Sequence, residues 1–301
     1  MGSLSFVSSL LYKLLFEEVA QLFTSITAKA KDNELSNDFF FKSTFMLNFI
    51  CSSIGNLNDI SMRSISLLES ADFIYAEDTR NTNNLLINFN INKKSKSFHE
   101  HNEIKITPEI INQLNDGNKI AIITDAGAPC ISDPGYYLSQ ECIKHSIQFT
   151  VLPGPSSVIN ALILSGLPSD AFSFKGFFPR KKTDQIEMSK SLNDVSETII
   201  FFESAKRLEK TISVFAEYLE FDRRIILCRE MTKRYEEVIR DSVGNMNNKF
   251  KNNEITTKGE FVIVLEGSKK INLDLNLSQK IKDLYLEHLP AKDAAKLLAA
   301  L

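Results

Sequence analysis

The chain has 301 residues, of which 43% are hydrophobic and 24% are charged, and its formal net charge is −3. This composition is typical of folded protein with room for two domains, and it excludes a polybasic chain that binds nucleic acid through charge alone. The four cysteines have no paired spacing, which argues against a disulfide framework or a zinc site and fits a reducing cytoplasm. No apolar run of about 18 residues is present, so no membrane span is expected.

The sequence divides into four segments that differ in their pattern of apolar and charged residues. We expect an upstream extension outside the fold at 1–45, an N-terminal α/β domain at 46–153, a C-terminal α/β domain at 154–267 and a truncated helical tail at 268–301. The segment 46–153 holds 8 Lys or Arg against 12 Asp or Glu, whereas 154–267 holds 17 of each. Any nucleic-acid contact must therefore be a local basic patch.

From Met46 onward, short apolar runs alternate with helical patterns. The predicted strands lie at 47–52, 73–76, 95–99, 119–124 and 149–152. The predicted helices lie at about 60–70, from Thr107 to about 116, and from Asp133 to His145. Thr107 and Asp133 are expected to cap their helices, each followed by a proline suited to the first turn. This alternation predicts a mainly parallel sheet with helices on both faces.

Polar or glycine-rich segments follow four of these strands. They are 54–56, 77–80, 99–103 and 125–131. Right-handed crossovers bring the carboxyl ends of parallel strands to one edge, which is where open α/β sheets bind ligands. We therefore expect a ligand site at this edge.

A second α/β unit follows the hinge at Pro153-Gly154-Pro155. Its strands are predicted at 172–176, 198–203, 224–229, 238–242 and 261–265. Its helices are predicted from Ser156 or Ser157 to Ser165, at about 182–193, and at 205–219. The predicted fold class is α/β, with two α/β domains.

Nine short motifs lie in a fixed order along the chain. They are Ile54-Gly55-Asn56-Leu57, Ala76-Glu77-Asp78-Thr79-Arg80, Phe98-His99-Glu100-His101-Asn102-Glu103, Asp125-Ala126-Gly127-Ala128-Pro129 with Ser132-Asp133-Pro134-Gly135, Leu152-Pro153-Gly154-Pro155-Ser156, Gly166-Leu167-Pro168, Gly176-Phe177-Phe178-Pro179-Arg180-Lys181, Phe202-Glu203-Ser204 and Arg229-Glu230-Met231-Thr232-Lys233. Together they resemble the tetrapyrrole methylase superfamily and, within it, the small-subunit ribosomal RNA methyltransferase I family.

The resemblance implies a homodimer of two-domain subunits with S-adenosylmethionine in the cleft between the domains. It also implies a cytoplasmic enzyme that methylates the 2′-hydroxyl of a cytidine in 16S rRNA of the small ribosomal subunit. The chain departs from the family pattern at Ser52-Ser53, where Thr-Pro is usual, and at Ala128 and Cys130, where Thr and Gly are usual. The small side chains of Ala128 and Cys130 are expected to leave the loop nearly unchanged.

On this resemblance we expect the methyl donor to contact the glycine-rich loop and residues across the cleft. The expected donor-binding residues are Ser53, Ile54, Gly55, Asp125, Ala126, Gly127, Ile131, Ser132, Ser156, Ser157, Glu203, Met231, Gly259 and Glu260. The alternative is a purely structural role, in which the glycines and prolines only shape turns.

Four residues are candidates for the chemistry itself, namely Asp78, Arg80, His99 and Glu100. Asp78 could accept the hydroxyl proton while Arg80 holds a phosphate, or Asp78 could cap a helix and pair with Arg80. The segment around His99 could bind a metal, relay a proton, contact RNA or only order its loop. We expect no metal.

Aromatic and basic residues at 177–182 form the best candidate for RNA contact. Unpaired RNA is held by stacking and phosphate contacts, which points to Phe178, Arg180, Lys181 and Lys182. The alternative is a helix start with buried phenylalanines and solvated lysines. Two other functions stay open: C-methylation of a tetrapyrrole, and binding of donor or RNA without turnover.

Overall fold

The computed structural model describes residues 45–269 and 275–293. The chain divides into two units between Ser156 and Ser157. The extension expected at 1–45 lies outside the described residues except for Phe45, and so do 270–274 and 294–301 of the expected tail.

The first unit alternates strands and helices. In chain order its elements are β1 Leu47–Ile50, α1 Met62–Ser70, β2 Phe73–Ala76, α2 Thr79–Asn88, β3 Ser95–Ser97, α3 Glu103–Asn115, β4 Ile120–Ile123, α4 Tyr136–Lys144 and β5 Phe149–Leu152. The strands form one sheet in the order β3-β2-β4-β1-β5, and every neighbouring pair is parallel. The predicted parallel sheet is confirmed.

Alternation along the central strands explains why both faces of this sheet are covered. Ile120 and Ile122 belong to one buried cluster, whereas Ala121 and Ile123 belong to another. Successive side chains of a strand point to opposite faces, so an unbroken apolar run fits a strand buried on both sides.

Two predicted helix starts in this unit are wrong. Helix α3 begins at Glu103 rather than Thr107, because the amides of Asn102 and Glu103 both donate to the carbonyl of His99 at 2.9 Å. Helix α4 begins at Tyr136 rather than Asp133, after Gly135 with φ at +129°. Both predictions rest on the residues next to each expected helix start, but neither Thr107 nor Asp133 is an N-cap.

The second unit is built on a mixed sheet. Its elements are α5 Ser157–Ser165, β6 Phe172–Phe177, α6 Lys182–Ser191, β7 Thr198–Ser204, α7 Ala205–Tyr218, β8 Arg224–Arg229, β9 Glu237–Ser242, α8 Val243–Lys251, β10 Glu260–Leu265 and α9 Leu275–His288. The strand order is β6-β7-β10-β8-β9, in which only β6 and β7 are parallel among the neighbouring pairs. All five predicted strands are confirmed, whereas α8 was not predicted.

The second sheet also has two covered faces. One carries a large apolar cluster that includes Phe201, Phe215 and Ile263. Helix α5 packs on β8, β9 and β10, and the Cys228 sulfur lies 4.0 Å from the Ala161 carbonyl oxygen. Within residues 45–269 and 275–293, no helix has the length and apolarity needed to cross a bilayer.

Candidate active site

Polar residues from adjacent strands meet at one edge of the first sheet. Glu77 follows β2, and Thr124 and Asp125 follow β4; the last residues of these strands, Ala76 and Ile123, are register partners. Strand β3 pairs with the other side of β2 and leads to His99. The edge predicted from the sequence therefore assembles three of the four expected segments within hydrogen-bonding or electrostatic range.

Asp78 is held by Arg80. Its carboxylate accepts from the backbone N–H of Arg80 at 2.8 Å and from the guanidinium Nε at 3.0 Å, and it is the N-cap of α2. These bonds lower the pKa of Asp78 to about 2. Of the two alternatives left open by the sequence, this geometry is the helix cap paired with Arg80. The guanidinium itself remains exposed on its outer side.

Asp125 ties the ends of β2 and β4 together. Its two carboxylate oxygens accept from the Asp78 backbone N–H and from Asn81 Nδ2, each at 3.2 Å. Its own backbone N–H donates to Glu77 Oε2 at 3.3 Å. The first turn of α2 and the loop after β4 are therefore positioned by the same carboxylate.

Three carboxyl groups at this edge have raised pKa values. Burial raises the pKa of Asp133 to about 7, and the nearby charges of Glu77 and Asp125 act in the same direction. Burial is also the largest cause of the raised pKa of Glu77 and of Asp125. Asp133 therefore lies within electrostatic range of the strand-end carboxyl groups, and Gly135 rather than Asp133 is the N-cap of α4. Like charges in a partly buried site disfavour ionisation of all three groups.

The loop after β4, residues 125–135, has an irregular backbone. Gly127, Cys130, Ser132 and Gly135 all have φ between +64° and +129°. The left-handed region suits glycine, so Cys130 and Ser132 carry a conformational cost that a glycine would not. A side chain at Gly135 would also meet Cys130 Sγ at 2.8 Å. We call this segment the donor loop because most of the expected donor-binding residues of the first unit lie in it.

A two-bond bridge fixes the start of the donor loop. The backbone N–H of Ser52 donates to the Gly127 carbonyl at 2.9 Å, and that of Gly127 donates to the Ser52 carbonyl at 3.2 Å. The Ser52 hydroxyl is buried and has no hydrogen-bond partner among the described residues. Ser53 and Ile54 are buried beside this bridge, while Gly55, Ala126, Ile131 and Ser132 are exposed. Ser156 is half-buried at the end of this unit.

Four of the five expected donor residues of the second unit, all except Ser157, lie at one edge of its own sheet. Strand β10 is antiparallel to β7 and β8, so Gly259 and Glu260 lie beside Glu203 and the segment after β8 that contains Met231. Glu203 is buried and accepts from the Ser204 N–H and the Thr211 hydroxyl, each at 2.7 Å. Ser157 is half-buried at the start of α5.

These second-unit side chains already have partners within that unit. Glu203 also lies 3.2 Å from the Arg207 guanidinium, and Glu260 lies 2.7 Å from Lys233 Nζ. Met231 is buried. Gly259 has φ at +90°, and a side chain there would meet Glu230 at 2.6 Å. A ligand contact at this edge would have to use backbone groups or displace these interactions.

The segment after β3 orders its own loop. Asn102 Oδ1 accepts from the His99 N–H at 2.8 Å, and the rings of His99 and His101 meet edge to face with centroids 6.0 Å apart. His99 Nδ1 is buried without a hydrogen-bond partner in the described chain, whereas Glu100 is exposed. No group of three or more His, Cys, Asp or Glu side chains within residues 45–269 and 275–293 is arranged to hold a metal ion.

Phe178, which the sequence indicates for stacking on RNA, is not accessible for that contact. Phe178 is 1% exposed and packs against Phe201 and Phe215, so it belongs to the core. Phe177 is 58% exposed and touches Phe202. Arg180, Lys181 and Lys182 are exposed immediately after it. The aromatic side chain available beside this basic segment is therefore Phe177.

Comparison with known proteins gives one consistent result. Residues 46–247 match the family described as Tetrapyrrole (Corrin/Porphyrin) Methylases. Proteins named ribosomal RNA small subunit methyltransferase I are similar over most of their length: that of Escherichia coli O157:H7 is 38% identical over 84% of this chain and 89% of its own. The corresponding protein of Thermotoga maritima is 42% identical over 71% of this chain and 95% of its own.

Solved structures share the fold at low identity. A diphthine synthase superposes with a TM-score of 0.58 at 14% identity, covering 73% of this chain and 89% of its own. A cobalt precorrin-4 methyltransferase superposes with a TM-score of 0.52 at 17% identity, covering 73% of this chain and 94% of its own. At this identity the likeness concerns the fold alone.

Proposed function

Because this chain belongs to the tetrapyrrole methylase family and, within it, to the ribosomal RNA small subunit methyltransferase I group, we propose that it methylates 16S rRNA. The reaction we propose is transfer of a methyl group from S-adenosylmethionine to the 2′-hydroxyl of a cytidine in the small ribosomal subunit. The observation that carries the proposal is the identity of 36–38% to proteins of that name over about nine-tenths of their length.

The edge of the first sheet suits a cationic donor. S-adenosylmethionine supplies an electrophilic methyl group on a positively charged sulfur. Glu77, Asp125 and Asp133 have raised pKa values because burial and mutual repulsion oppose their ionisation, and a bound cation would offset that repulsion. The buried Ser52 hydroxyl without a partner is a further polar group that a ligand could satisfy.

We propose that this chain binds the donor mainly through the donor loop and the Ser53–Gly55 turn. Gly127, with φ at +78°, lets the loop backbone turn there. The residues we expected in the second unit remain part of the proposal through their backbone groups, since Glu203 and Glu260 already have side-chain partners.

For the proton of the 2′-hydroxyl, we propose His99 as the acceptor. Asp78 is a weak base because Arg80 holds its pKa at about 2. An imidazole is a better acceptor near neutral pH. His99 lies within electrostatic range of Glu77, at the same edge as Asp125. Glu100 is exposed beside it, and we propose that it contacts the RNA substrate without accepting the proton.

For RNA, we propose contacts by Phe177 and the basic segment 180–182, together with Arg80. Phe177 can stack on an unpaired base, while the exposed cationic side chains contact phosphates. Arg80 is held by Asp78 on one side and is open on the other, a geometry suited to one phosphate contact. We further propose a homodimer that works in the cytoplasm.

The test is to incubate the protein with methyl-labelled S-adenosylmethionine and small ribosomal subunits from a strain that lacks the modification. We expect label in 16S rRNA, recovered as 2′-O-methylcytidine after complete digestion. Subunits from a strain that already carries the modification are the matched control. Label absent from RNA but present on an added tetrapyrrole would overturn the proposal in favour of C-methylation, and donor binding by calorimetry without any turnover would indicate a binding protein.

A further inference from the structure

Glu103 contacts residues that are distant in sequence, and it has no role in the reaction proposed above. It is the first residue of α3 and is 8% exposed. Its Oε1 accepts hydrogen bonds from the backbone N–H groups of Gly135 and Leu138, both at 3.0 Å. These amides lie where the donor loop ends and α4 begins: Gly135 is the last residue of the loop, and Leu138 is in the first turn of the helix.

Helix α4 obtains this acceptor from another helix because its own cap residue cannot supply one. The first amides of a helix have no carbonyl partner within it and need an acceptor from outside. Gly135 occupies the N-cap position and has no side chain. A carboxylate also interacts favourably with the positive end of the helix dipole. Glu103 therefore provides both a hydrogen-bond acceptor and a complementary charge.

The two hydrogen bonds that Glu103 accepts from Gly135 and Leu138, which we call the clamp, fix one end of the donor loop, whose own internal hydrogen bonds are weak. Between Gly127 and Gly135 the backbone has left-handed residues at Cys130 and Ser132. The bonds within it are long, 3.2 Å from the Cys130 N–H to the Pro134 carbonyl and 3.4 Å from the Ile131 N–H to the Ala128 carbonyl. The Ser52 bridge holds the first end, and Glu103 holds the second.

We propose that Glu103 is a positioning residue that sets the shape of the donor loop and thereby the affinity for the methyl donor. It acts through the backbone of Gly135 and Leu138 and does not touch the donor. This inference rests on the proposed function, in which the donor loop binds S-adenosylmethionine. It assigns the last residue of the His99–Glu103 motif to loop geometry.

The experiment compares the wild-type protein with Glu103→Ala and Glu103→Gln. The control is Glu141→Gln, in which the carboxylate that is removed lies on α4 and pairs with Lys144. Hydrogen exchange of the full-length protein without donor reports the Gly135 and Leu138 amides. Calorimetry with S-adenosylmethionine reports Kd, and thermal unfolding sets a temperature at which every variant is folded.

For Glu103→Ala we expect faster exchange at both amides and a Kd raised about tenfold, since a lost charge-assisted bond corresponds to that factor. Glu103→Gln keeps an oxygen at the same place and should return Kd to within about threefold of the wild-type value. Glu141→Gln should change neither quantity. Affinity for small ribosomal subunits should be unaltered in all three.

A folded Glu103→Ala protein with fast exchange but unchanged Kd would overturn the inference, and so would unchanged exchange at Gly135 and Leu138. A wild-type protein that binds no donor would instead overturn the proposed function. The exchange data distinguish the two cases, because they report the clamp in the absence of donor.

Discussion

The strand-end edges of the two units differ in whether their carboxyl groups have cationic partners. In the first unit, Glu77, Asp125 and Asp133 repel one another and have raised pKa values. In the second unit the carboxyl groups at the corresponding edge have cationic partners: the pKa of Glu230 lies below its usual range despite burial, with Lys233 among the causes, and Glu260 and Glu203 lie 2.7 Å from Lys233 and 3.2 Å from Arg207. Carboxylates that are already paired with cations stabilise the fold. An edge with unpaired carboxylates can instead bind a cationic ligand.

The largest effect expected from this contrast is on the stability of the second unit. Replacing Glu203 by Ala removes a buried acceptor from the Thr211 hydroxyl and a charge from Arg207. We expect the free energy of unfolding to fall by about 3 kcal/mol, as measured by denaturant titration. Glu209→Ala, on the same helix as Thr211, is the control and should change it by less than about 0.5 kcal/mol. A stable Glu203→Ala protein with a greatly raised donor Kd would show that this edge binds donor through Glu203.

The second prediction concerns Asp125 of the first unit. Asp125→Ala removes the bonds to Asp78 and Asn81, and with them the link between the two strand ends. We expect kcat/KM for small-subunit methylation to fall about 100-fold, because misplacing reacting groups is costly. Asp116→Ala, at the end of α3 and away from the strand ends, should retain activity. Activity of Asp125→Ala within about threefold of the wild type would contradict the proposed site.

The third prediction uses the titration of Asp133. A cation bound nearby lowers the pKa of this group from about 7, so donor binding near neutral pH releases protons. Donor affinity should therefore rise with pH between about 5 and 8, by at most about tenfold per unit. Calorimetry in buffers of different ionisation enthalpy measures the release. Asp133→Asn should remove this component, leaving only the donor's own amino group to titrate.

The raised pKa of Asp133 should also make the stability of the donor-free protein depend on pH. The folded-state pKa of Asp133 lies above the unfolded value of 3.8, so the free energy of unfolding is unaffected by this group below about pH 4, falls between about pH 4 and pH 7, and stays at the lower value above about pH 7. Asp133→Asn should therefore raise the unfolding temperature at pH 8 and leave it unchanged at pH 4. An equal shift at both pH values would contradict a raised pKa for Asp133.

The smallest effect is expected at Cys130. Its φ of +69° suits glycine, so Cys130→Gly should relieve backbone strain. Greater freedom of the unfolded chain opposes this gain, and we expect a net stabilisation of about 0.5 kcal/mol. Ser139→Gly, inside α4, should instead destabilise by about 1 kcal/mol. Destabilisation by both changes would show that packing of the Cys130 side chain outweighs its strain.

The sheet of the first unit could be predicted because its signal is local. The apolar run Ile120–Ile123 with a polar turn after it is sufficient for a buried parallel strand, and the edge rule then places Glu77 and Asp125 together. The start of α4 could not be predicted, because its acceptor Glu103 lies 32 residues from Gly135 in sequence. A local pattern of Asp133 and Pro134 carries no information about such a partner.

The burial of Phe178 and the exposure of Phe177 could not be predicted for a different reason. Strand side chains alternate between faces, but the pairing of β6 with β7 shifts register between Phe174 and Phe177, where Gly176 has φ at +68°. A bulge of this kind reverses the alternation and leaves Phe177 outside. The motif Gly176-Phe177-Phe178 contains the glycine that permits the bulge, yet many glycines in strands have other roles.

Hydrogen exchange of the whole protein with and without saturating S-adenosylmethionine tests directly whether the strand-end edge of the first unit binds the donor. We predict slower exchange at Ser52–Gly55 and at Asp125–Gly135, together with little change in β9, the outermost strand of the second sheet. Unchanged exchange in both of these first-unit segments, under conditions where calorimetry shows the donor to be bound, would contradict the claim that the acidic strand-end edge holds the cationic donor.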